Sequence, residues 1–369
     1  MRVIIIGAGP SGLACAACLS RTGIQPEILE RADCVGSAWH NHYDRLHLHT
    51  SRGRSGLPFR AMPKRYGRYA SRLQMVEYLE DYARAFDLKP QFGAAVETVR
   101  PSGTGWRVAH SGGSSDADAV IFATGLNGTP HRPAFPGQAS FPGPVLHTSE
   151  YRTSKPFLDG HTLVIGFGNS GGDIALDLAE AGARVTLSVR GPVNILPHEV
   201  FGLPVTSLGG LRKILPYTLA DALFAPIVRA HIGRPRDYGL QEPEKGPAAQ
   251  VIEDGRIPLI DIGALAAIRA GRIATRRGIR GIDGAQVTFA DDTTASFDAI
   301  ILATGYRVNL AAMLPETPEA LDDKGHPKLC GAPGSVPGLF FCSYKASPDG
   351  QLNQSGIEAR AIARAISNG

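Results

Sequence analysis

The chain contains two copies of a strand, glycine-turn and helix pattern, and this duplication restricts its fold more than any other feature. The first copy runs from an apolar segment at residues 3–6 into Gly7-Ala8-Gly9-Pro10-Ser11-Gly12. The second runs from residues 161–165 into Gly166-Phe167-Gly168-Asn169-Ser170-Gly171. In each copy the first glycine allows a tight turn, the second lets a pyrophosphate approach the backbone, and the third lets helix and strand pack closely. The sequence therefore predicts an α/β protein with two dinucleotide-binding, Rossmann-like domains.

The residue that ends the second strand of each copy differs in charge. Glu30, followed by Arg31, ends the first copy, and Arg190 takes nearly the same place in the second. A carboxylate at this position accepts from a ribose hydroxyl and repels a 2′-phosphate, whereas a guanidinium can pair with that phosphate through two hydrogen bonds. We therefore expect FAD at the first site and NADPH, rather than NADH, at the second. The alternative is that Arg190 is an ordinary solvent-exposed residue at a strand end.

Two similar segments, residues 119–125 and 299–306, each predict a buried strand that runs into a Thr-Gly turn. Such strand ends lie at the dinucleotide crevice of a doubly wound sheet, which makes candidate cofactor contacts of Thr124, Gly125, Thr304 and Gly305. Because one segment precedes the second glycine motif and the other follows it, the NADPH domain is predicted to be inserted into the FAD domain. The expected limits are 1–152 and 292–369 for the FAD-binding domain, and 153–291 for the NADPH-binding domain, with a hydrophobic helical insertion at about 195–250.

The glycine-rich segment at residues 350–356 opens the last predicted helix, which runs from Ile357 to Ile366. The segment begins with Gly350-Gln351-Leu352. The N-terminus of a helix stabilises negative charge, and a reduced flavin carries such charge at its N1 and O2 edge. We therefore expect Gln351 and Leu352 to contact the flavin. The alternative is a surface helix with a glycine-rich entry.

Composition excludes several classes of function. The 369 residues are 43% hydrophobic and 20% charged, with a net charge of +4 and no basic stripe, so we expect no nucleic-acid partner. The five cysteines show no metal-ligand spacing with histidine, so we expect no metal site, and their odd number in a chain without a secretory signal predicts reduced thiols. The apolar start at residues 3–6 is too short for a secretory signal, so a cytoplasmic protein is expected. Charges and prolines interrupt residues 208–232, which favours amphipathic helices over a membrane span, with an interfacial anchor as the alternative.

A string between the two glycine motifs carries a resemblance to a known family. Residues 141–151 match FxGxxxHxxxY at its four fixed positions, which are Phe141, Gly143, His147 and Tyr151. This string resembles the identifying motif of class B flavin-dependent monooxygenases. Further segments, at residues 43–49, 77–83, 238–240 and 258–271, resemble the YUCCA-type indole-3-pyruvate monooxygenases.

The resemblance implies an oxidoreductase that uses FAD, NADPH and molecular oxygen. Such an enzyme oxygenates a small organic substrate through a C4a-(hydro)peroxyflavin. The YUCCA-type segments favour oxidative decarboxylation of an aryl 2-oxo acid such as indole-3-pyruvate. N- or S-oxygenation of an amine or thioether and Baeyer–Villiger oxidation are the alternatives, although Tyr151 stands where Baeyer–Villiger enzymes usually have Trp. A homodimer is a further open expectation.

The resemblance also implies roles for individual residues. His49 falls where many members of the wider family have an Asn near the flavin, which makes it the candidate catalytic residue. Trp39 and Arg45 are further candidate cofactor contacts. Two rival enzymes use the same cofactors: an NADPH oxidase that releases peroxide, and a disulfide reductase, for which Cys15 and Cys18 are formally spaced. Both cysteines fall inside the first predicted helix, and we therefore expect no redox role for them.

Overall fold

The computed structural model describes residues 1–206 and 216–368, and the chain divides into two compact units. The first unit comprises Met1–Asn41, Thr50–Thr129 and Tyr306–Gly369. The second unit comprises His42–His49 and Pro130–Gly305. Each unit is a mixed α/β structure around a parallel sheet, which confirms the predicted α/β class.

A four-stranded parallel sheet forms the centre of the first unit. In the order in which they pair, its strands are β2 (Glu27–Leu29), β1 (Val3–Ile6), β6 (Ala119–Phe122) and β21 (Leu339–Phe341). All residues of β1, β6 and β21 are buried, because a parallel sheet covered on both faces requires continuous apolar strands. A separate antiparallel sheet contains β3 (Val96–Ser102), β4 (Gly105–His110) and β5 (Gly113–Ala117). Two short strands are β7 (Thr129–Pro130) and β20 (Tyr306–Arg307).

The helices of the first unit are α1 (Pro10–Ser20), α2 (Ser37–His40), α3 (Arg72–Ala85) and α8 (Gln351–Asn368), with 3₁₀ turns at Arg52–Arg54 and Pro318–Ala320. Small residues in α1 let this helix pack closely against both β1 and α8, and its side chains from Ser11 to Leu19 are buried. A capping box of Ser71 and Gln74 starts α3, since each side chain bonds to the backbone N–H of the other residue.

A five-stranded parallel sheet forms the centre of the second unit. Its paired order is β15 (Ile273–Arg276), β10 (Arg184–Ser188), β9 (His161–Ile165), β19 (Ala299–Leu302) and β8 (Val145–His147). An antiparallel sheet contains β16 (Ile279–Asp283), β17 (Gln286–Phe289) and β18 (Thr294–Ser296). Two smaller pairs are β11 (Ile195–Pro197) with β14 (Leu259–Asp261), and β12 (Glu199–Val200) with β13 (Leu203–Pro204).

The helices of the second unit are α4 (Asn169–Glu180), α5 (Tyr217–Ile232), α6 (Pro247–Asp254) and α7 (Ala264–Arg269), with 3₁₀ turns at Gln138–Ser140, Lys155–Phe157 and Pro235–Tyr238. The predicted amphipathic segment at 208–232 lies partly outside the described residues, and its described part is α5. Within the described ranges, no helix combines the length and the apolar character that a membrane crossing needs.

The limits of the units differ from the predicted domain limits. Residues 130–152 and 292–305 were expected in the first domain, but both belong to the second unit. The reason is strand pairing, because β19 lies between β9 and β8 in the second sheet. The short segment His42–His49 also belongs to the second unit. The predicted insertion at 195–250 contains short strands as well as the expected helices.

Candidate cofactor sites and active-site residues

The first glycine turn has the geometry that the sequence predicts. Gly7 has a φ of 109°, and a Cβ on it would lie 2.8 Å from the carbonyl oxygen of Ala123. A Cβ on Gly12 would lie 1.9 Å from the Gly7 oxygen, whereas one on Gly9 would meet no atom within 4 Å. The helix α1 begins at Pro10 without a side-chain cap, so the amides of its first turn are available to an anion. The open space at Gly9 therefore suits a pyrophosphate.

Glu30 is buried beside this turn. Its Oε2 accepts a hydrogen bond from the Ala8 amide at 2.7 Å, and its Oε1 accepts from the Ala32 amide at 2.9 Å. Each carboxylate oxygen keeps a second acceptor site, so Glu30 can still accept from a ribose hydroxyl. The neighbouring Arg31 is exposed, and Trp39 is half-buried on α2.

The C-terminal helix meets the first glycine turn within the same unit. The Ser355 hydroxyl on α8 lies 3.0 Å from the Ser11 hydroxyl on α1. At the start of α8, Gln351 Nε2 donates to the Ser343 carbonyl at 2.9 Å, and Leu352 is buried. The Oε1 atom of Gln351 is buried and has no hydrogen-bond partner among the described residues. Such an acceptor fits a bound group that carries an N–H or O–H donor.

The turn after β6 adds a polar contact to this region. The Thr124 amide donates to the Tyr344 hydroxyl at 3.0 Å, and the two hydroxyls lie 2.6 Å apart. Gly125 follows with a φ of 79°. The open cradle at Gly9, the carboxylate of Glu30 and the orphaned oxygen of Gln351 all belong to the first unit, and they fit a flavin dinucleotide.

The second glycine turn repeats the geometry of the first. A Cβ on Gly166 would lie 2.4 Å from the Ala303 oxygen, one on Gly171 would lie 2.1 Å from the Gly166 oxygen, and Gly168 faces open space. The helix α4 also starts without a side-chain cap. Its first residue, Asn169, accepts from the Ile260 amide at 2.8 Å, so this side chain secures β14. Ser170 contacts the Tyr43 hydroxyl.

A cluster of exposed arginines lies where β10 and β15 end. Arg190 follows β10, and the Val189 amide donates to the Arg276 carbonyl at 2.9 Å. The Ser188 hydroxyl donates to the Arg277 carbonyl at 3.0 Å. Within the described part of the chain, no carboxylate lies within ion-pair distance of Arg190. The sequence indicated Arg190 alone, because the contribution of Arg276 and Arg277 depends on which strand pairs with β10.

The fixed residues of the FxGxxxHxxxY string support the second sheet. Gly143 lets the chain approach Asp298, since a Cβ there would lie 2.1 Å from the Asp298 oxygen. His147 is fully buried, and its Nε2 lies 2.9 Å from the carbonyl oxygen of Gly305. The preceding residue of that turn, Thr304, donates its hydroxyl proton to the His131 carbonyl. The string therefore connects β8 to the turn that follows β19.

Arg45 and Tyr151 both contact carboxylates of α4. Arg45 Nε lies 2.9 Å from Asp173 Oδ1, and its Nη1 lies 2.8 Å from Glu180 Oε2. The Tyr151 hydroxyl donates to Asp177 at 2.5 Å. Burial raises the pKa of the Asp173 carboxyl to about 6, although the Arg45 charge opposes this shift. These contacts fix α4, and the cofactor contact expected of Arg45 stays a prediction.

His49 lies beside a second histidine that the sequence did not indicate. The rings of His49 and His198 are 6.0 Å apart and nearly perpendicular, and the His198 side chain is hydrogen-bonded to the backbone of His49. Burial, together with the neighbouring His198 and His47, lowers the pKa of His49 to about 4. The imidazole of His49 is therefore neutral near pH 7. No spacing rule relates residues 49 and 198, so only the folded chain shows this pair.

The formally spaced cysteines are buried in α1. Cys15 and Cys18 are 1% and 3% exposed. Burial raises the pKa of the Cys18 thiol to about 11, which disfavours the thiolate that disulfide exchange requires.

Comparisons with known proteins agree on one family. The sequence profile described as "Pyridine nucleotide-disulphide oxidoreductase" matches residues 4–198. The chain is 38% identical over 331 residues to indole-3-pyruvate monooxygenase YUCCA1 of Oryza sativa subsp. japonica, which covers 88% of this chain and 82% of the relative. It is 41% identical over 323 residues to indole-3-pyruvate monooxygenase YUCCA6 of Arabidopsis thaliana, covering 85% and 78%.

A solved structure with a similar fold is the flavin-containing monooxygenase from Stenotrophomonas maltophilia. Its TM-score is 0.75 at 24% identity, and the match covers 100% of this chain and 98% of that one. At this identity the likeness concerns the fold alone.

Proposed function

This chain belongs to the pyridine nucleotide-disulphide oxidoreductase family and, within it, to the flavin-dependent monooxygenases related to YUCCA enzymes, and we propose that its substrate is an aryl 2-oxo acid. It is an oxidoreductase that uses FAD, NADPH and molecular oxygen to oxygenate a small organic substrate. Identity of 38–41% over 85–88% of the chain to indole-3-pyruvate monooxygenases is the observation that carries the substrate proposal. Indole-3-pyruvate is the first substrate to test.

We propose that each unit is a Rossmann-like domain and that the second is inserted into the first. FAD would bind the first unit through the α1 amides, Glu30 and Gln351. Supporting this assignment, the unit has an open cradle at Gly9 and a buried acceptor on Gln351 that lacks a partner among the described residues. Bound FAD, once reduced by NADPH, supplies the activation of oxygen, and the protein supplies binding, orientation and electrostatics.

NADPH would bind the second unit at the glycine turn before α4. The arginines at the ends of β10 and β15 would hold its 2′-phosphate, because exposed guanidinium groups without a carboxylate partner favour a dianion. Arg190 is the central residue of this proposal. Arg276 and Arg277 extend the positive charge along the same sheet edge.

His49 is the proposed catalytic residue. Its neutral imidazole offers one N–H donor and one acceptor nitrogen, so it can hold a proton at the reacting oxygen or orient the substrate without adding charge. The lowered pKa supports this state across the neutral pH range. His198 would keep the ring in place.

The assay that tests the substrate proposal supplies NADPH and oxygen with indole-3-pyruvate or phenylpyruvate. One 2-oxo acid, one O₂, one NADPH and one proton should give the shorter carboxylic acid, CO₂, NADP⁺ and water. We expect substrate to accelerate NADPH consumption and the acid to form in equal amount. A dialkyl sulfide, a tertiary amine and a cyclic ketone serve as comparison substrates. Faster turnover of any of these would contradict the proposal of a 2-oxo acid substrate. Substrate-independent peroxide release would identify an NADPH oxidase.

A cytoplasmic location and a homodimeric assembly are separate proposals. Cell fractionation tests the location. Light scattering tests the assembly against the 39.1 kDa mass of one chain.

A further inference from the structure

Ser343 lies two residues after β21 in a backbone conformation that serine rarely adopts. Its φ is 72°, in the left-handed region, and the residue is 2% exposed. A residue with a side chain stays in this conformation only when its surroundings fix it, and such strain concentrates at functional sites. The contacts of Ser343 therefore indicate what the strain maintains.

Three side chains of α8 hold Ser343 in place. Glu358 Oε2 accepts from the Ser343 amide at 2.6 Å. Gln351 Nε2 donates to both the carbonyl oxygen and the hydroxyl oxygen of Ser343, each at 2.9 Å. The Ser355 hydroxyl lies 2.7 Å from the Ser343 hydroxyl. Every polar atom of Ser343 is thus bonded to one helix.

These contacts determine which way the Gln351 amide points. The carbonyl oxygens of Ser343 and Lys345, at 2.9 and 3.3 Å, can only accept, so the amide nitrogen must face them. The Oε1 atom then points the other way, where it is buried without a partner in the described part of the chain. A buried acceptor of this kind costs stability unless a bound group satisfies it.

The hydrogen bonds continue from Ser343 to the start of α1. Because the Ser343 hydroxyl accepts from Gln351, its proton is free for Ser355, whose own proton goes to the Gln351 carbonyl at 2.9 Å. The second acceptor site of Ser355 is left for the Ser11 hydroxyl at 3.0 Å. One buried network therefore joins the proposed pyrophosphate site at Ser11 to the orphaned oxygen of Gln351.

We infer that Ser343 is a positioning residue that orients Gln351 so that Oε1 accepts a hydrogen bond from an N–H or O–H group of the bound FAD. This inference rests on the proposed FAD site in the first unit. An acceptor oxygen disfavours the negative charge of a reduced flavin, and an amide that is held less firmly can turn its N–H groups towards that charge. Loss of the Ser343 hydroxyl removes one of the three acceptors that hold the Gln351 amide nitrogen, so FAD binding should weaken and reduction should become easier.

The variant that tests this role is Ser343→Gly, because glycine adopts a φ of 72° without strain and has no hydroxyl. We expect FAD to bind about tenfold more weakly, the effect of losing one well-formed hydrogen bond. The reduction potential of bound FAD should become more positive by about 30 mV, which corresponds to a tenfold change in relative affinity for the reduced form. Fluorescence titration of the apoprotein with FAD and anaerobic redox titration measure the two quantities.

Ser367→Ala is the matched control, because it removes a hydroxyl from the far end of α8, where Ser367 bonds only to the Ala363 carbonyl in the described structure. Gln351→Leu should reproduce the affinity loss of Ser343→Gly, and the double variant should be no worse than either single variant. Unchanged affinity and potential in Ser343→Gly, or additive losses in the double variant, would overturn the role of Ser343. A wild-type protein that binds no FAD would instead overturn the proposed FAD site together with this inference.

Discussion

Charge at single residues distinguishes the two proposed nucleotide sites. Glu30 is buried and bonded to two backbone amides, whereas Arg190 is exposed and has no carboxylate within ion-pair distance among the described residues. A buried carboxylate has a fixed direction and suits a ribose hydroxyl. A guanidinium at a sheet edge loses less side-chain entropy per hydrogen bond than an ammonium does when it pairs with a phosphate dianion. The choice between NADPH and NADH should therefore depend on Arg190.

Arg190→Ala should raise the KM for NADPH about 10- to 100-fold, because charge-assisted hydrogen bonds contribute about 1.5–3 kcal/mol. The KM for NADH should change less than twofold, since NADH has no 2′-phosphate. Steady-state kinetics with both cofactors measure this. Arg280→Ala is the control, because Arg280 is also exposed in the second unit but pairs with Asp292. Equal losses with NADPH and NADH would show that Arg190 does not bind the 2′-phosphate.

At the scale of elements, α4 is held by residues distant in sequence. Tyr151 bonds to Asp177 and stacks on Phe157 with ring centroids 5.7 Å apart, and Arg45 pairs with the carboxylates on the same helix. Because α4 begins at the second glycine turn, these contacts set the direction of the helix amides. The motif tyrosine therefore supports this helix.

Tyr151→Phe should lower the free energy of unfolding by about 1–2 kcal/mol, because it removes one buried hydrogen bond and leaves Asp177 with Arg45 as its partner. Turnover at saturating NADPH should stay within about twofold of wild type. Chemical denaturation and steady-state assays measure the two effects. Tyr217→Phe, which removes an exposed hydroxyl bonded to Glu253, should leave stability unchanged. A turnover loss with normal stability would give Tyr151 a direct role.

Local sequence patterns predicted the strands and helices themselves better than they predicted which strands lie next to each other in the sheets. The last helix begins at Gln351, six residues before its predicted start at Ile357. Both glycine turns and their strands follow from residue types at short spacing. The place of β19 in the second sheet does not follow from such patterns, because the sequence of a buried apolar strand does not identify its parallel neighbours. For the same reason Arg276 and Arg277 were not predicted beside Arg190. Ser343 contacts side chains of α8, His198 contacts the distant His49, and neither residue belongs to a motif.

At the scale of the whole molecule, buried ionisable groups make stability depend on pH. Burial lowers the pKa values of His49, His147, His161 and His198, so folding opposes their protonation. Burial raises the pKa of Asp173 to about 6, so folding favours its protonation. The two effects act in opposite directions as the medium is acidified, and a single unfolding curve cannot separate them.

His49→Gln isolates one of these contributions. The pKa of the His49 imidazole is about 4 in the folded chain and 6.5 unperturbed, so protons bind the unfolded state more tightly. The contribution of His49 is complete above pH 6.5 and is lost as the pH falls towards 4, by at most about 3 kcal/mol. The stability difference between wild type and His49→Gln should therefore shift across this window in urea titrations. A difference that does not change with pH would mean that the His49 imidazole is not buried.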